Sequence, residues 1–500
     1  MSIEPSPGWP YPLSGSGRDA VSALTAPPPA DIFREYDVRG LVDAPHDFDP
    51  ARITPFTANR LGRAFGTYLH ERDIDQVVVG HDSRAYASVL TSALVEGLLS
   101  TGREVIALGL ATTPLVYFAQ AHLGVDGAVA VTASHNPNGW GGFKLSEGSP
   151  TTLGPDEVTE LKRLADLGRF HRAAGRYVER SVTADYIGHL AAGNPAPAPL
   201  EVVVDGANSI SGVLARAAFE EAGYRVTAIN EPLDWSFPNH EPDPELVEGR
   251  RQLAAAVVDG GATLGLALDG DGDRLGVTDS DGATVWADRV LALLALDVIE
   301  RVPGATIVYD VKCSRLVAEV VRDAGGQPVM WRTGHSHVKT KMRELGAPFA
   351  GERSGHFFNA VDHFGFDDAI HAGLRLADLC ARRGRPLADL VAELPRYETS
   401  PTISAPCADA DKYAVVDRFL EEAVARTEPE EAITINGARL EFADGWLLVR
   451  ASSNLPALVI VCEGRTTDAL HRQYRLVRGI LDGFDEVDPI WENDLIIDTH

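Results

Sequence analysis

The chain has 500 residues, 45% of them apolar and 23% charged, with 47 Gly and 31 Pro; these are globular values, and ~100 to 200 residues per domain implies three or four domains. Its 45 Lys and Arg against 72 Asp and Glu give a formal charge of −27, which argues against a nucleic-acid surface and against a basic patch for anionic lipid. An anionic substrate would then need a local cluster of Arg, Lys and His in a cleft to overcome that field.

Residues 1–30 are rich in Pro, Ser and Gly and lack a basic start before an apolar block, so they read as a disordered leader rather than a signal peptide. From Asp31 onward, β-branched runs alternate with amphipathic stretches: QVVVG at 76–80, a helix-like stretch at 87–102, EVIALG, a helix from Pro114 to Leu123, then GAVAVTAS. The pattern restarts at EVVVDGANS (201–209), with a helix from Val213 to Ala222 and the strand YRVTAIN. A third unit follows the strand ATLGLALDGDGDRLGVTDSDG, with helices near Asp288–Arg301 and Ser314–Ala324 and strands ATIVYDVK and QPVMWR. After LPRYETSPTISAP the character changes to helices near Lys412–Arg426 and Thr466–Leu481 around strands with hairpin signals at Asn436-Gly437 and Asp444-Gly445. The expected fold class is therefore α/β: three tandem αβ-sandwich domains of similar topology and a smaller C-terminal α+β domain.

Cys313, Cys380, Cys407 and Cys462 form no CxxC pair, which suggests neither a zinc site nor a disulfide framework and fits a reducing cytoplasm. The richest apolar run, Val290 to Ile299, contains Asp297 and is about ten residues long, short of the ~18 that a membrane helix needs.

Four loops, with two further segments at 310–315 and 332–337, carry chemistry. Thr132-Ala133-Ser134-His135-Asn136-Pro137 follows an apolar strand, where ligands of open αβ sheets sit, and Ser beside His suggests nucleophilic catalysis. No G-x-S-x-G elbow surrounds Ser134, so an acyl-transfer hydrolase is not supported. Asp269-Gly270-Asp271-Gly272-Asp273-Arg274 places three carboxylates at alternate positions, a hard-oxygen set suited to Mg²⁺ or Ca²⁺. An EF-hand competes, but its twelfth position, counted from Asp269, is Ser280. Three carboxylates leave the shell of Mg²⁺ open to a phosphoryl oxygen, which links this loop to Ser134, and Arg274 and Lys144 are the cations to balance the charge.

Gly351-Glu352-Arg353-Ser354-Gly355-His356 offers a carboxylate, a hydroxyl and an imidazole to sugar hydroxyls, though an ordinary turn with a salt-bridged Glu is the plainer reading. Asp310-Val311-Lys312-Cys313-Ser314-Arg315 and Arg332-Thr333-Gly334-His335-Ser336-His337 each put cationic or imidazole groups after a strand. Arg450-Ala451-Ser452-Ser453-Asn454-Leu455-Pro456 combines a guanidinium with hydroxyls and an amide, a mixture suited to a phosphate monoester.

In this order, the four loops resemble the α-D-phosphohexomutase superfamily, from Phe33-Arg34-Glu35-Tyr36-Asp37-Val38-Arg39-Gly40 to the last loop. TGHS, GERSGH, DVKCSR and FGFDDAI are most similar to its phosphomannomutase/phosphoglucomutase branch. The resemblance implies a heart-shaped molecule with a central cleft and domains at 31–180, 181–283, 284–395 and 396–500, carrying the phosphoserine, metal, sugar and phosphate loops in turn. It implies a phosphoserine at Ser134, Mg²⁺ held by Asp269, Asp271 and Asp273 with the Ser134 phosphate, and Tyr36, Arg39, Lys144 and Arg274 around the transferring group. Proton transfer falls to His135 or Lys144. Lys312 and His335 resemble sugar-phosphate contacts; Glu352 and Ser354 match the pair that reads hydroxyls 3 and 4, and Arg353 and His356 share their loop.

The implied activity interconverts hexose 1- and 6-phosphates through a hexose 1,6-bisphosphate, which also activates the enzyme. The bisphosphate turns around while Arg450, Ser452, Ser453 and Asn454 hold the idle phosphate and a hinge near Arg396 loosens. Ser453-Asn454-Leu455 departs from the usual form of that loop, which leaves affinity and sugar preference open. A phosphoglucosamine mutase and a non-catalytic sugar-phosphate binding protein are the alternatives, and the expected state is monomer or homodimer.

Overall fold

The computed structural model describes residues 26–42, 51–148, 151–198 and 200–495; the leader expected at 1–30 lies outside them up to residue 25. The chain forms two compact units: residues through Val290 with Ser354–Val391, and Leu291–Arg353 with Ala392 onward.

In the first unit, six strands, β1 (Val38–Leu41), β2 (Gln76–His81), β3 (Glu104–Leu110), β4 (Gly127–Val131), β5 (Trp140–Glu147) and β6 (Arg176–Glu179), form a sheet ordered β1-β5-β4-β2-β3-β6. β2 runs parallel to β3 and β4, while β5 returns antiparallel to β4 and pairs with β1. Helices on its faces bury the Val runs of β2 and β4, as a doubly covered sheet requires. β5 is missing from the sequence-based expectation because Gly141-Gly142 has poor strand propensity. Gly142 is nonetheless required, since a Cβ there would lie 2.6 Å from the Val38 carbonyl.

A second sheet contains β7 (Glu201–Asp205), β8 (Arg225–Ile229), β9 (Leu264–Leu268), β10 (Leu275–Asp279) and β11 (Thr284–Val285), ordered β11-β10-β9-β7-β8. β9 is parallel to β7 and antiparallel to β10, so the Asp269–Arg274 loop is the turn between two paired strands. The expected helix at Val213–Ala222 begins earlier, at Ile210.

In the second unit, β12 (Thr306–Asp310) runs parallel to β13 (Gln327–Trp331) and β14 (Phe349–Gly351). The stretch from Ser354 rejoins the first unit through β15 (Phe357–Asn359) and the helix Ala369–Arg383, which packs on the helix Ile210–Ala222 and on β9 and β10. The C-terminal sheet is antiparallel: β16 (Glu398–Thr399), β17 (Ile403–Pro406), β18 (Glu431–Ile433), β19 (Ala438–Phe442), β20 (Gly445–Ala451) and β21 (Ala457–Gly464). Both hairpin turns fall where the Asn-Gly and Asp-Gly pairs place them. β20 is buried on both faces: Leu447 and Val449 join the core under the helices Lys412–Arg426 and Thr467–Leu481, while Trp446 and Leu448 pack with Val311 and Val461. Among the described residues, no helix is long and apolar enough to cross a membrane.

Candidate active site

Beyond β4 the chain turns through Thr132–Pro137, and Ser134 takes φ 52°, a left-handed conformation uncommon for a residue with a Cβ. Thr132 Oγ1 accepts the Ser134 N–H at 2.8 Å, and the Arg84 guanidinium donates to the carbonyls of Ser134 (2.9 Å), Asn136 (2.5 Å) and Pro137 (3.0 Å). Arg84 is buried and paired with Asp82 at 3.3 Å. Burial works to discharge Arg84, but Asp82, Tyr86 and Asp271 together outweigh it. The motif pattern omits Arg84, although an Asp-x-Arg step at the carboxyl end of β2 is the signal that marks it.

The Ser134 hydroxyl donates to Asp269 Oδ2 at 2.7 Å. A Cβ on Gly270 would lie 2.8 Å from the Ser134 carbonyl, so only glycine lets the two loops approach this closely. Asp269 Oδ1 closes its own turn by accepting the N–H groups of Gly272 (2.9 Å), Asp273 (3.0 Å) and Arg274 (3.2 Å). Asp271 Oδ2 accepts from Lys144 Nζ at 2.7 Å and from Thr113 Oγ1 at 2.5 Å. Thr113 opens the helix Thr113–Leu123, whose N-terminal dipole favours a carboxylate there. Lys144, on β5, also bonds Asp273.

All three carboxylates are fully buried. Burial and its two acidic neighbours push Asp269 well above the usual carboxylate range. For Asp273 burial acts in the same sense, but Lys144 and His356 overcome it and hold the group well below that range. Burial alone would discharge Lys144, and Asp271, Asp273 and Asp269 keep it an ammonium.

His135 Nδ1 lies 3.3 Å from Ser134 Oγ. Desolvation, with Arg274 and Arg39 adding to it, holds this imidazole neutral, well below its ordinary pKa. Arg39, at the start of the β1–β5 pairing, is buried, bonded to Asn136 Oδ1 at 2.6 Å and to Asp37 at 2.7 Å, with Tyr36 buried just before it. Arg274 Nε faces His356 Nε2 at 3.4 Å, His356 Nε2 lies 3.4 Å from Asp273 Oδ1, and its Nδ1 meets the Ser354 hydroxyl at 3.1 Å. Asp367 brings a further carboxylate within 4.8 Å of His356 and Asp273; no spacing rule links it to the distant Asp273, and only FGFDDAI marks it.

The remaining residues lie in the second unit. Lys312 Nζ is 3.6 Å from Asp310 Oδ2, and the buried His335 opens the helix His335–Leu345. The buried Glu352 accepts the Gly334 N–H at 2.6 Å, so it is tied to the turn before that helix. The Arg353 guanidinium turns to Thr399 Oγ1 (3.1 Å) and the Ser400 carbonyl (2.7 Å), a structural placement its loop position does not reveal. Arg450 donates to Ser453 Oγ at 3.0 Å, and Ser452 Oγ accepts the N–H groups of Asn454 (3.4 Å) and Leu455 (3.2 Å). Lys412, unmarked by any motif, fastens this loop through the carbonyls of Ser452 (2.6 Å) and Leu455 (3.2 Å).

The acidic cluster fits a hard divalent cation. One oxygen from each of Asp269, Asp271 and Asp273 lies within 4.8 Å of the others, and Asp271 Oδ1 is buried without a hydrogen-bond partner; such oxygen-only donor sets suit Mg²⁺.

A serine hydroxyl set against an all-oxygen acidic cluster at the ends of αβ sheets is the layout of a phosphoryl-transfer protein. Four family models match in succession: phosphoglucomutase/phosphomannomutase alpha/beta/alpha domains I (residues 30–171), II (184–282) and III (286–397), and the C-terminal domain (403–478). The chain belongs to the phosphoglucomutase/phosphomannomutase family. It is 35% identical over 462 residues to a phosphomannomutase/phosphoglucomutase of Pseudomonas aeruginosa, covering 92% of this chain and 98% of that one. It is also 35% identical over 457 residues to a phosphoglucomutase of Neisseria gonorrhoeae, covering 90% and 97%. Among solved structures, a phosphoglucomutase/phosphomannomutase family protein from Burkholderia thailandensis superposes with a TM-score of 0.83 at 35% identity, over 92% of this chain and 99% of that one.

Proposed function

We propose that this protein is a phosphohexomutase that interconverts hexose 1-phosphate and hexose 6-phosphate through a phosphoserine at Ser134 and a hexose 1,6-bisphosphate. The observation that carries the reading is the 2.7 Å approach of the Ser134 hydroxyl to Asp269 inside the buried acidic cluster. In the forward step, the free 1- or 6-oxygen of the sugar attacks phosphorus, the bond from phosphorus to Ser134 Oγ breaks, and the bisphosphate forms; in the return step Ser134 Oγ takes the other phosphoryl group. Mg²⁺ held by Asp269, Asp271 and Asp273 would supply Lewis-acid polarisation of the phosphoryl group.

The residues of the chain divide the remaining work. Arg39, Arg274 and Lys144 offset the charge of the transferring group. Lys144 stays charged between its carboxylates, which suits it to electrostatics rather than to taking a proton. The neutral His135 beside Ser134 Oγ, together with His356, carries the proton between hydroxyl oxygens. Glu352 and Ser354 are assigned to hydroxyls 3 and 4, and Tyr36, Lys312 and His335 to further sugar-phosphate contacts. Hydroxyl 2 stays unread, so mannose and glucose are both accepted. Arg450, Ser452, Ser453 and Asn454 hold the idle phosphate. The proposal extends to four domains at 31–180, 181–283, 284–395 and 396–500, to a cytoplasmic monomer or homodimer, and to priming by the bisphosphate.

Turnover of glucose 1-phosphate, mannose 1-phosphate and glucosamine 1-phosphate with Mg²⁺ and a trace of bisphosphate is the test, alongside intact mass of the purified protein. The expected result is comparable turnover of the first two and one covalent phosphate at Ser134. Preference for the amino sugar would reassign the substrate, and a chain with neither turnover nor phosphate would be a binding protein only.

A further inference from the structure

Arg439 is a fully buried cation on β19. Its Nη1 donates to the carbonyls of Val311 (2.6 Å) and Cys313 (2.8 Å), the residues on either side of Lys312. Its Nε donates to Glu441 at 2.7 Å, and its guanidinium stacks on the Trp446 ring at 3.6 Å. The same small network fixes the far end of the loop. Arg315 Nη2 bonds Glu441 Oε2 (2.5 Å) and the carbonyls of Phe442 (2.9 Å) and Gly445 (2.9 Å), and the Arg315 N–H donates to Glu463, which also accepts from Trp446 Nε1.

A charge in this position is costly, and apolar residues of like volume generally seal such a space as well or better. What hydrocarbon cannot supply is two directed bonds to the two peptide carbonyls that bracket one lysine. A second tie lies at the neighbouring turn. Asn436 Oδ1 accepts the Thr333 N–H at 3.2 Å, two residues before His335, while Gly437 abuts the backbone and Cβ of Arg450.

We infer that Arg439 is a positioning residue for substrate recognition: it seats Lys312 on the same β19–β20 hairpin that carries Arg450, so that the two cations present themselves at a fixed spacing. This rests on the proposed mutase reading, in which Lys312 and Arg450 meet the sugar phosphate. Wild-type turnover is therefore measured first, and its absence would fail that reading without bearing on Arg439.

With an active wild type, Arg439→Met is expected to raise the KM for hexose phosphate about tenfold while kcat changes less than about threefold, the pattern of lost binding shared by ground and transition states. Arg439→Lys keeps the charge but not the paired carbonyl bonds, and its KM is expected to fall between the two. In a Lys312→Met background, Arg439→Met should add less than about twofold, because a residue that acts through another is non-additive with it. An Arg439→Met protein with lowered melting temperature and unchanged KM would overturn the inference, as would full additivity with Lys312→Met. Should Arg439→Met fail to fold, an unchanged KM in Arg439→Lys overturns it equally.

Discussion

The Ser134 centre and the Arg450 loop both face phosphate in the proposed reaction, yet they are built by opposite means. Around Ser134, the charges answer one another: three fully buried carboxylates by Lys144, Arg274 and His356, and the strained Ser134 loop by a buried guanidinium paired with Asp82. At Arg450 the guanidinium has one side-chain bond, to Ser453, and Leu455 projects into solvent. A centre that stabilises charge developing in a reaction gains from dipoles fixed beforehand, whereas a loop that must grip a phosphate, release it and grip its successor gains from donors left unspent.

The sharpest way to break this contrast is to remove the group at its focus. Ser134→Ala deletes the proposed phosphate acceptor and only a hydroxyl from the lattice, so turnover should fall more than ~10³-fold while the melting temperature stays near wild type; stopped-assay kinetics and thermal unfolding measure both. Turnover at wild-type rates would remove the mechanism. Arg450→Ala tests the other side. Its expected effect is a KM raised ~10- to 100-fold with a smaller change in kcat, and an unchanged KM would show that the loop does not hold the idle phosphate.

The same contrast explains what could be read from the sequence. Ser134 and the Asp loop follow strands written as plain apolar runs, so their place at strand ends is a local property of a few residues. The Asn436-Gly437 and Asp444-Gly445 turns were equally local. Thr113, Lys412 and Arg439 carry no such mark, and Arg84 and Asp367 only the Asp-x-Arg step and the FGFDDAI segment. Each acts through a partner far along the chain, Arg84 on the carbonyl of Ser134 and Arg439 on those of Val311 and Cys313, and such pairings exist only once the sheets have formed. β5 was hidden for a related reason: its two glycines weaken the strand signal, and the packing that demands Gly142 comes from β1.

The smallest effect separates the two regions by acidity. Behind the catalytic lattice, within the first unit, His371 stacks on His363 with ring centroids 4.6 Å apart, His363 meets His189 at 3.1 Å and Asp368 at 3.1 Å, and His371 lies 3.3 Å from Asp362. Asp368 also accepts the Tyr186 hydroxyl at 2.8 Å, and the next residue's N–H reaches the Gly272 carbonyl of the Asp loop at 3.2 Å. Burial pushes His371 down to about 4, with its neighbour His363 adding to the shift and Asp362 opposing it. A histidine whose folded pKa is depressed binds its proton first in the unfolded chain, so its contribution is intact above about pH 6.5 and is lost as the pH falls towards 4. Between pH 6.5 and 5 this single group should cost about 2 kcal/mol of stability, and His371→Asn should flatten that part of the profile in denaturant titrations. Asp368, held below its usual range chiefly against burial by His363, adds its own loss only at lower pH. The Arg450 loop, Arg450 to Pro456, contains no histidine or carboxylate. An acid profile unaltered by His371→Asn would move the sensitivity elsewhere.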